Sequence, residues 1–329
     1  MSSGKQREDD HDEHLSTLRL CEVSVPDLPK RELGRTGLQV TTLGYGAMEL
    51  RGMPRGRDIS EDQSERILNA VLDSGINYID TSVDYGLSEE RIGRSIAGRR
   101  SEYYLASKCA CWALPGEPPP APNGRNPHVF TAENVRAGVE QSLRRIRTDY
   151  LDVVQFHASP SRQQLEEHGA LEELQKLKDE GKVRFLGVSG TLPNLPEQIE
   201  LGVFDVFQIP YSALERDHED VITEASEAGA GTVIRGGAAK GDPGKGEGVY
   251  WDRWLSAGID DLLDGESRQE FILRFTFSHA DLDTTIVGTA DPDHLRDNIN
   301  ALLKGPLDPA LYLEAKSRLA GAGFTPQPA

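Results

Sequence analysis

The chain has 329 residues, 37% of them hydrophobic, enough to bury the core of one large domain or two smaller ones. Aspartate and glutamate outnumber lysine and arginine 54 to 36, giving a formal charge of -18, so a nucleic-acid backbone or an anionic membrane is repelled and neither is an expected partner. Three cysteines, Cys21, Cys109 and Cys111, are too few for a disulfide framework and form no CxxC or Cys/His metal spacing, so the sequence predicts a reducing cytoplasm and no metal.

The first segment, MSSGKQREDDHDEH, is charged where a signal peptide needs an apolar core, and no stretch reaches the roughly 18 apolar residues of a membrane span. Residues 1–28 read as a disordered acidic tail, with His11 and His14 as solvated charge, and residues 29–320 as a single domain. KRELGRTGLQVTTLGYG then predicts a hairpin turning between Gly34 and Gly37, followed by a strand from Val40 to about Gly44. A capping box of Ser60 and Gln63, an apolar stripe of Ile67, Leu68, Val71 and Leu72, and a stop at Gly75 predict a helix before the strand Asn77 to Thr81.

The alternation then repeats. Helices SEERIGRSIA, TAENVRAGVEQSLRRI and LEELQKLKDEG precede strands YYLASKC, LDVVQFH and VRFLGVSG; a short helix from about Pro196, EDVITEASEAG and ESRQEFILRFTFSH precede DVFQIPYS, GTVIRGG and TTIVGT. Strands apolar at nearly every position and separated by helices imply a parallel sheet covered on both faces. Eight such units in about 290 residues fit a closed (β/α)8 TIM barrel better than an open doubly wound sheet. The Pro-rich stretch of residues 112–127 follows the third strand, which in a barrel places it on the functional face.

Two phosphate motifs fail on inspection. LGYGAME has Glu49 where a dinucleotide fingerprint needs glycine, and AKGDPGKG begins on Ala239 and ends on Gly246 instead of Ser or Thr. A stronger signal is polar residues at strand ends: Asp80, Lys108, His157 and Gln208. One alone reads as an N-cap, a snorkelling lysine or a packed histidine; four converge on one site in a barrel. A tyrosine hydroxyl acts as a proton donor more readily beside a cation, which Lys108 can supply and Asp80 can anchor. Asp84 is the rival carboxylate, but it lies past the strand and reads as turn chemistry.

DTSVDYG with Asp80 and Tyr85, ASK with Lys108 and QFH with His157, in that order, resemble the aldo-keto reductase superfamily over roughly residues 30 to 305. RELGRTGLQVTTLGYGAM and FTAENVRAGVEQSLRRIRTDYLDVVQFH resemble the family's opening and its third helix and fourth strand. The resemblance implies a reductase in which Tyr85 is the proton donor, Lys108 lowers its pKa, Asp80 holds Lys108, and His157 orients the carbonyl. It also implies an extended nicotinamide cofactor, NADP(H) by preference with NAD(H) as the alternative. Gly46 and Ala47 would line its path, Ser189 and Gln208 would hold the carboxamide, and Tyr211 would stack on the ring. The segment Arg235, Gly236 to Gly241 would offer backbone groups near the pyrophosphate; Gly288, Thr289, His294, Asp297 and Asn298 would cradle the adenosine phosphate at a helix start. Three departures from the family stand out: Gly190 replaces its usual asparagine, Gly288 and His294 stand where many members have lysine and arginine, and residues 235–241 are unusually glycine-rich.

The substrate implied is a small carbonyl compound or alcohol. The same residues serve oxidation of a sugar or polyol, and two other readings are a nicotinamide-binding regulatory protein and a lyase or epimerase with Lys108 as a Schiff base. Loop aromatics Trp112, Tyr250, Trp251 and Trp254, with Pro115, are candidate pocket walls, the alternative being ordinary loop packing.

Overall fold

Residues 30–46 supply two separate pieces of the fold. β1 (Lys30–Glu32) and β2 (Gln39–Thr41) pair antiparallel, with Arg31 opposite Val40. Val40 therefore belongs to the hairpin, and the first barrel strand is β3 (Leu43–Gly46), starting later than the sequence suggests. Only two buried threonines, Thr41 and Thr42, separate Val40 from Leu43, so no exposed residue marks the junction; Thr42 donates its N–H to Pro29 O and so keeps the chain on the hairpin side.

The structure, a computed structural model, describes residues 27–120, 126–237 and 248–327. Seven strands complete the barrel: β4 (Tyr78–Asp80), β5 (Tyr104–Cys109), β6 (Leu151–His157), β7 (Val183–Ser189), β8 (Val206–Pro210), β9 (Gly231–Arg235) and β10 (Thr284–Val287). All neighbours are parallel, and β10 closes on β3. The surrounding helices are α1 (Glu61–Asp73), α2 (Ser88–Ser95), α3 (Ala132–Ile146), α4 (Arg162–Glu167), α5 (Ala170–Asp179), α6 (Leu195–Glu200), α7 (Glu219–Glu227), α8 (Val249–Ser256), α9 (Arg268–Phe277), α10 (Pro292–Lys304) and α11 (Pro309–Gly321). Their apolar stripes pack on the strands: α1 buries Ile67, Leu68, Val71 and Leu72, as its periodicity requires. Its capping box is half formed, because Ser60 accepts from the Gln63 N–H while the Gln63 side chain donates instead to Ala290 O.

The hairpin plugs the N-terminal end of the barrel. Leu33, Leu38 and Val40 are buried with Tyr78, Val153, Val206 and Val233 in an inner cluster, separate from the larger core between strands and helices. Gly34 sits against the start of β9 with φ +48, and an added Cβ would fall on the Gly231 backbone. Gly34→Ala is expected to cost about 1–3 kcal/mol through strain and displacement of the plug; an unchanged urea-unfolding midpoint would contradict this packing.

The packed chain also reaches beyond residues 29–320. Leu28, read as tail, is buried, as is Phe324, whose carbonyl accepts from Arg216. Residues 1–26 lie outside the described residues, as does Gly241. Among the described residues no helix is long and apolar enough to cross a membrane.

Candidate active site

Strand register assembles the polar strand ends into one layer. Lys108 pairs with Gln155, His157 with Ser189, and Ser189 with Gln208 across successive strands. At its centre is Asp80, the last residue of β4 and 2% exposed. Its Oδ1 accepts from the Lys108 ammonium, and its Oδ2 from Gln155 Nε2 at 3.0 Å and Gln208 Nε2 at 2.8 Å. Lys108 Nζ also donates to Thr81 O at 2.9 Å, and Ser189 Oγ donates to Gln208 Oε1 at 2.8 Å. Burial alone would pull Lys108 down, but the neighbouring Asp80 carboxylate outweighs it and raises the ammonium above its usual range.

Tyr85 reaches this pair by a tight turn. Tyr85 N–H donates to Ser82 O, and Ser88 N–H donates to Tyr85 O as α2 begins. The phenol ring returns over the mouth, with Lys108 Nζ 5.0 Å from its centroid and the His157 ring edge-on at 5.9 Å. Asp84 pairs with Arg55 at 3.1 Å, and its charge also acts on Cys111 and His128 at the rim. Burial pushes the Tyr85 hydroxyl up; Lys108 pulls it back only in part, so the net shift is upward where the sequence analysis expected it to fall. A phenol that keeps its proton until a stronger base forms beside it is suited to donation. Burial, then the Lys108 charge, hold His157 well below its ordinary value, so its ring is neutral.

Two partners, Gln155 and His128, were missed in the sequence, and a third, Cys111, is expected there only as one of two thiols, with Cys109, of which one lies near the pocket. Gln155, fully buried, lies two residues before His157 and therefore on the same strand face, a signal present in QFH; its Oε1 has no hydrogen-bond partner among the described residues. Cys111 Sγ lies 3.0 Å from His157 Nδ1, and the His128 ring packs edge-on against His157 with centroids 5.1 Å apart. Arg235, expected to contribute backbone groups, also carries a guanidinium charge that acts on both Tyr85 and His157.

Of the remaining predicted residues, some surround the mouth and some do not. Gly46 and Gly288 bring β3 and β10 together, an added Cβ at Gly288 lying 2.6 Å from Gly46 O, which explains why no lysine stands at 288. Ala47 is buried just beyond Gly46, and Gly236 continues from β9 with φ +73. Tyr45 OH donates to Thr289 O at 2.6 Å, steadying the turn into α10, where His294, Asp297 and Asn298 share one helix face. Gly190 leaves space that Ser159 takes: an added Cβ would be 2.5 Å from Ser159 Oγ, which bonds Thr191 instead.

Tyr211 is a correction. It is fully buried, its ring stacked on Phe275 and its hydroxyl 2.9 Å from that of Tyr312, so it packs behind β8 and is not available to stack on a ring in the mouth. Trp251 and Trp254 are corrected likewise: both are buried in the core, edge-on to each other, with Trp254 against Phe271 and donating to Asp260. Tyr250 stacks on Phe324 at the edge of that packing. Trp112 alone of the four lies in the loop beside the site, its N–H donating to Pro127 O and its buried Nε1 without a partner among the described residues.

An eight-stranded barrel with a buried acid–lysine pair beneath a tyrosine at its mouth is the frame in which the comparisons with known proteins fall. The family model for the Aldo/keto reductase family matches residues 42–241, and the chain belongs to that family of oxidoreductases, which use a nicotinamide dinucleotide. Among curated relatives, an uncharacterized oxidoreductase of Bacillus subtilis (strain 168), YqkF, is 26% identical over 83% of this chain and 90% of its own length. L-galactose dehydrogenase of Arabidopsis thaliana is 35% identical over 49% of this chain and 48% of its own, and D-threo-aldose 1-dehydrogenase of a Pseudomonas species is 26% identical over 80% and 89%. The holo structure of aldo-keto reductase AKR11C1 from Bacillus halodurans superposes with a TM-score of 0.75, at 26% identity, covering 88% of this chain and 96% of that one.

Proposed function

We propose that the protein interconverts a small carbonyl compound and its alcohol at the barrel mouth, with Tyr85 as proton donor. The observation that carries this reading is the buried Asp80–Lys108 pair beneath the Tyr85 ring, with neutral His157 on the ring's edge. Pure binding has no need of a phenol beside a buried ammonium. A Schiff base is disfavoured too, since a Lys108 held above its usual range is a poor nucleophile.

The residues present fit a nicotinamide group. Ser189 and Gln208 offer a hydroxyl and an amide side by side, Gln155 Oε1 is an orphan acceptor in the same layer, and the Gly46–Gly288 approach leaves backbone in place of side chains along the rim. When bound, the reduced cofactor supplies hydride to the carbonyl carbon. Tyr85 then gives its proton to the developing alkoxide, and Lys108, held by Asp80, stabilises the phenolate left behind. Asp80 is fixed by two further amide donors, so the ammonium is preorganised. Neutral His157 orients the carbonyl oxygen by hydrogen bonding.

The cofactor reading is NADP(H), with a narrow margin over NAD(H). The start of α10 is capped by Asp291, whose carboxylate accepts from the Asp293 N–H at 2.9 Å, and Arg296 is paired with Asp293 at 3.0 Å. These acids oppose a second phosphate at that helix start. NADPH is therefore expected to bind less than about tenfold tighter than NADH, and Asp293→Asn to widen the difference by about 0.3–1 kcal/mol in NADPH's favour. Fluorescence titration of both cofactors checks this; a preference above a hundredfold, unmoved by the substitution, contradicts it.

A second direction has specific support: two relatives are named as sugar dehydrogenases. Aldose oxidation would use the same groups in reverse, Tyr85 then receiving the proton. Parallel assays with aldehydes and NADPH, and with aldoses and NAD(P)+, decide the direction; turnover in neither sinks the proposal. The three scattered cysteines support a reducing cytoplasm as the enzyme's location in this reading.

A further inference from the structure

We propose that Cys111, His128 and His157 form a binding site for a thiophilic divalent cation of the zinc class at the rim of the barrel. The three donor atoms, one sulfur and two ring nitrogens, lie within 4.8 Å of one another. Cys111 Sγ and His157 Nδ1 are already 3.0 Å apart. Zinc held tetrahedrally at about 2.0–2.3 Å separates its ligands by about 3.3–3.8 Å, so the triad needs an adjustment of about 1 Å. The exposed His128 side chain can make that movement.

The ligands sit on a scaffold of backbone and side-chain hydrogen bonds. Cys111 and His128 face each other in an isolated antiparallel bridge, flanked by hydrogen bonds from Trp112 N–H to Pro127 O at 3.0 Å and from Val129 N–H to Ala110 O at 2.7 Å. Asn134 ties the same segment down, donating to the carbonyls of Ala110, Cys111 and Val129. His157 comes from the end of β6. A loop closing on itself thus carries two ligands to a strand carrying the third. This is why sequence spacing shows no metal motif: Cys111 and His157 are 46 positions apart.

One thiol with two imidazoles is a soft-to-borderline donor set, suited to zinc or cobalt and unsuited to magnesium or calcium. Three protein ligands leave the fourth position to water or another oxygen ligand. On binding, the Cys111 S–H bond breaks, the sulfur–metal bond forms and the proton passes to buffer; no atom changes oxidation state. A cation there takes a His157 lone pair and adds positive charge beside Lys108, so carbonyl turnover should fall. That consequence rests on the function proposed above, whereas binding does not.

Cobalt(II) titrated into the full-length, metal-free protein is the direct test, since a thiolate ligand gives a sulfur-to-cobalt charge-transfer absorption. One equivalent should bind with that band, zinc should displace it, Cys111→Ser should abolish it, and His128→Asn, on the exposed rim, should weaken binding about tenfold or more. His11→Asn and His14→Asn should leave it unchanged. Absence of the band, its persistence in Cys111→Ser, or its loss in His11→Asn or His14→Asn overturns the site. Zinc should also inhibit the wild type at concentrations about tenfold below those needed for His128→Asn; equal inhibition overturns the blockade. A protein that binds cobalt in this way but turns over no carbonyl compound would refute the proposed function and leave the metal site standing.

Discussion

Asp80→Asn is expected to destabilise the protein by about 3–5 kcal/mol, because it leaves the Lys108 ammonium buried without a counter-charge. Lys108 would keep Thr81 O, and the asparagine would face two amide donors, Gln155 and Gln208, with a single acceptor oxygen. Turnover should fall about a hundredfold or more, since the ammonium that stabilises the phenolate is no longer held or reliably charged. A structural role alone also predicts lost stability, so the double variant decides. Removing both partners in Asp80→Asn/Lys108→Met takes the unpaired charge away, and most of the stability should return. Activity should not return with it. Chemical denaturation alongside steady-state kinetics separates the two effects; recovery of turnover in the double variant would show that the pair serves folding only.

Tyr85→Phe should lower kcat by about 10²–10⁴-fold while leaving the affinity for NADPH and the folding stability near wild type. The hydroxyl is the only atom lost. The ring that covers Lys108 at 5.0 Å and meets His157 edge-on is kept, so packing at the mouth is preserved. Burial holds the phenol in its protonated form, so the variant removes a donor and not a charge. Unchanged kcat would require another group to protonate the product oxygen. Neutral His157 would be the first candidate, tested by His157→Gln.

The sequence exposed the centre of the site more clearly than its edges. Asp80, Lys108 and His157 stand out because each interrupts an apolar strand, where burial without a partner is costly. Gln155 obeys the same rule but hides inside QFH, one alternation from His157. Tyr211 after β8 and Trp251 and Trp254 in α8 mislead because an aromatic residue has the same local signature whether it faces a ligand or the helix layer; only its tertiary contacts, Phe275 and Tyr312 or Phe271, separate the two. The partnership of Cys111 with His128 was invisible, since it depends on a loop folding back through an isolated bridge.

The barrel was legible for the reason its strands are buried on both faces, and the misplacement of its first strand has an equally local cause. Val40 and Leu43 are both fully or nearly fully buried, one in the plug and one in the outer core, and the two threonines between them are buried as well, so no exposed residue marks the junction. Helices α4, α8 and α11 went unmarked. α4 is a six-residue turn of helix, and in α11 only Ala315 and Leu319 are buried, too few to show a stripe.

The most direct test of the account is one experiment with labelled cofactor. Wild type and Tyr85→Phe are incubated in parallel with an aromatic aldehyde and NADPH or NADH deuterated at the transferable position, and the product is analysed by mass spectrometry. The account predicts an alcohol from the wild type with one deuterium on the former carbonyl carbon, and at least about a hundredfold less of it from Tyr85→Phe at equal cofactor occupancy. Equal label in both products, or no labelled alcohol from the wild type with any aldehyde or, in reverse, any aldose, would contradict it.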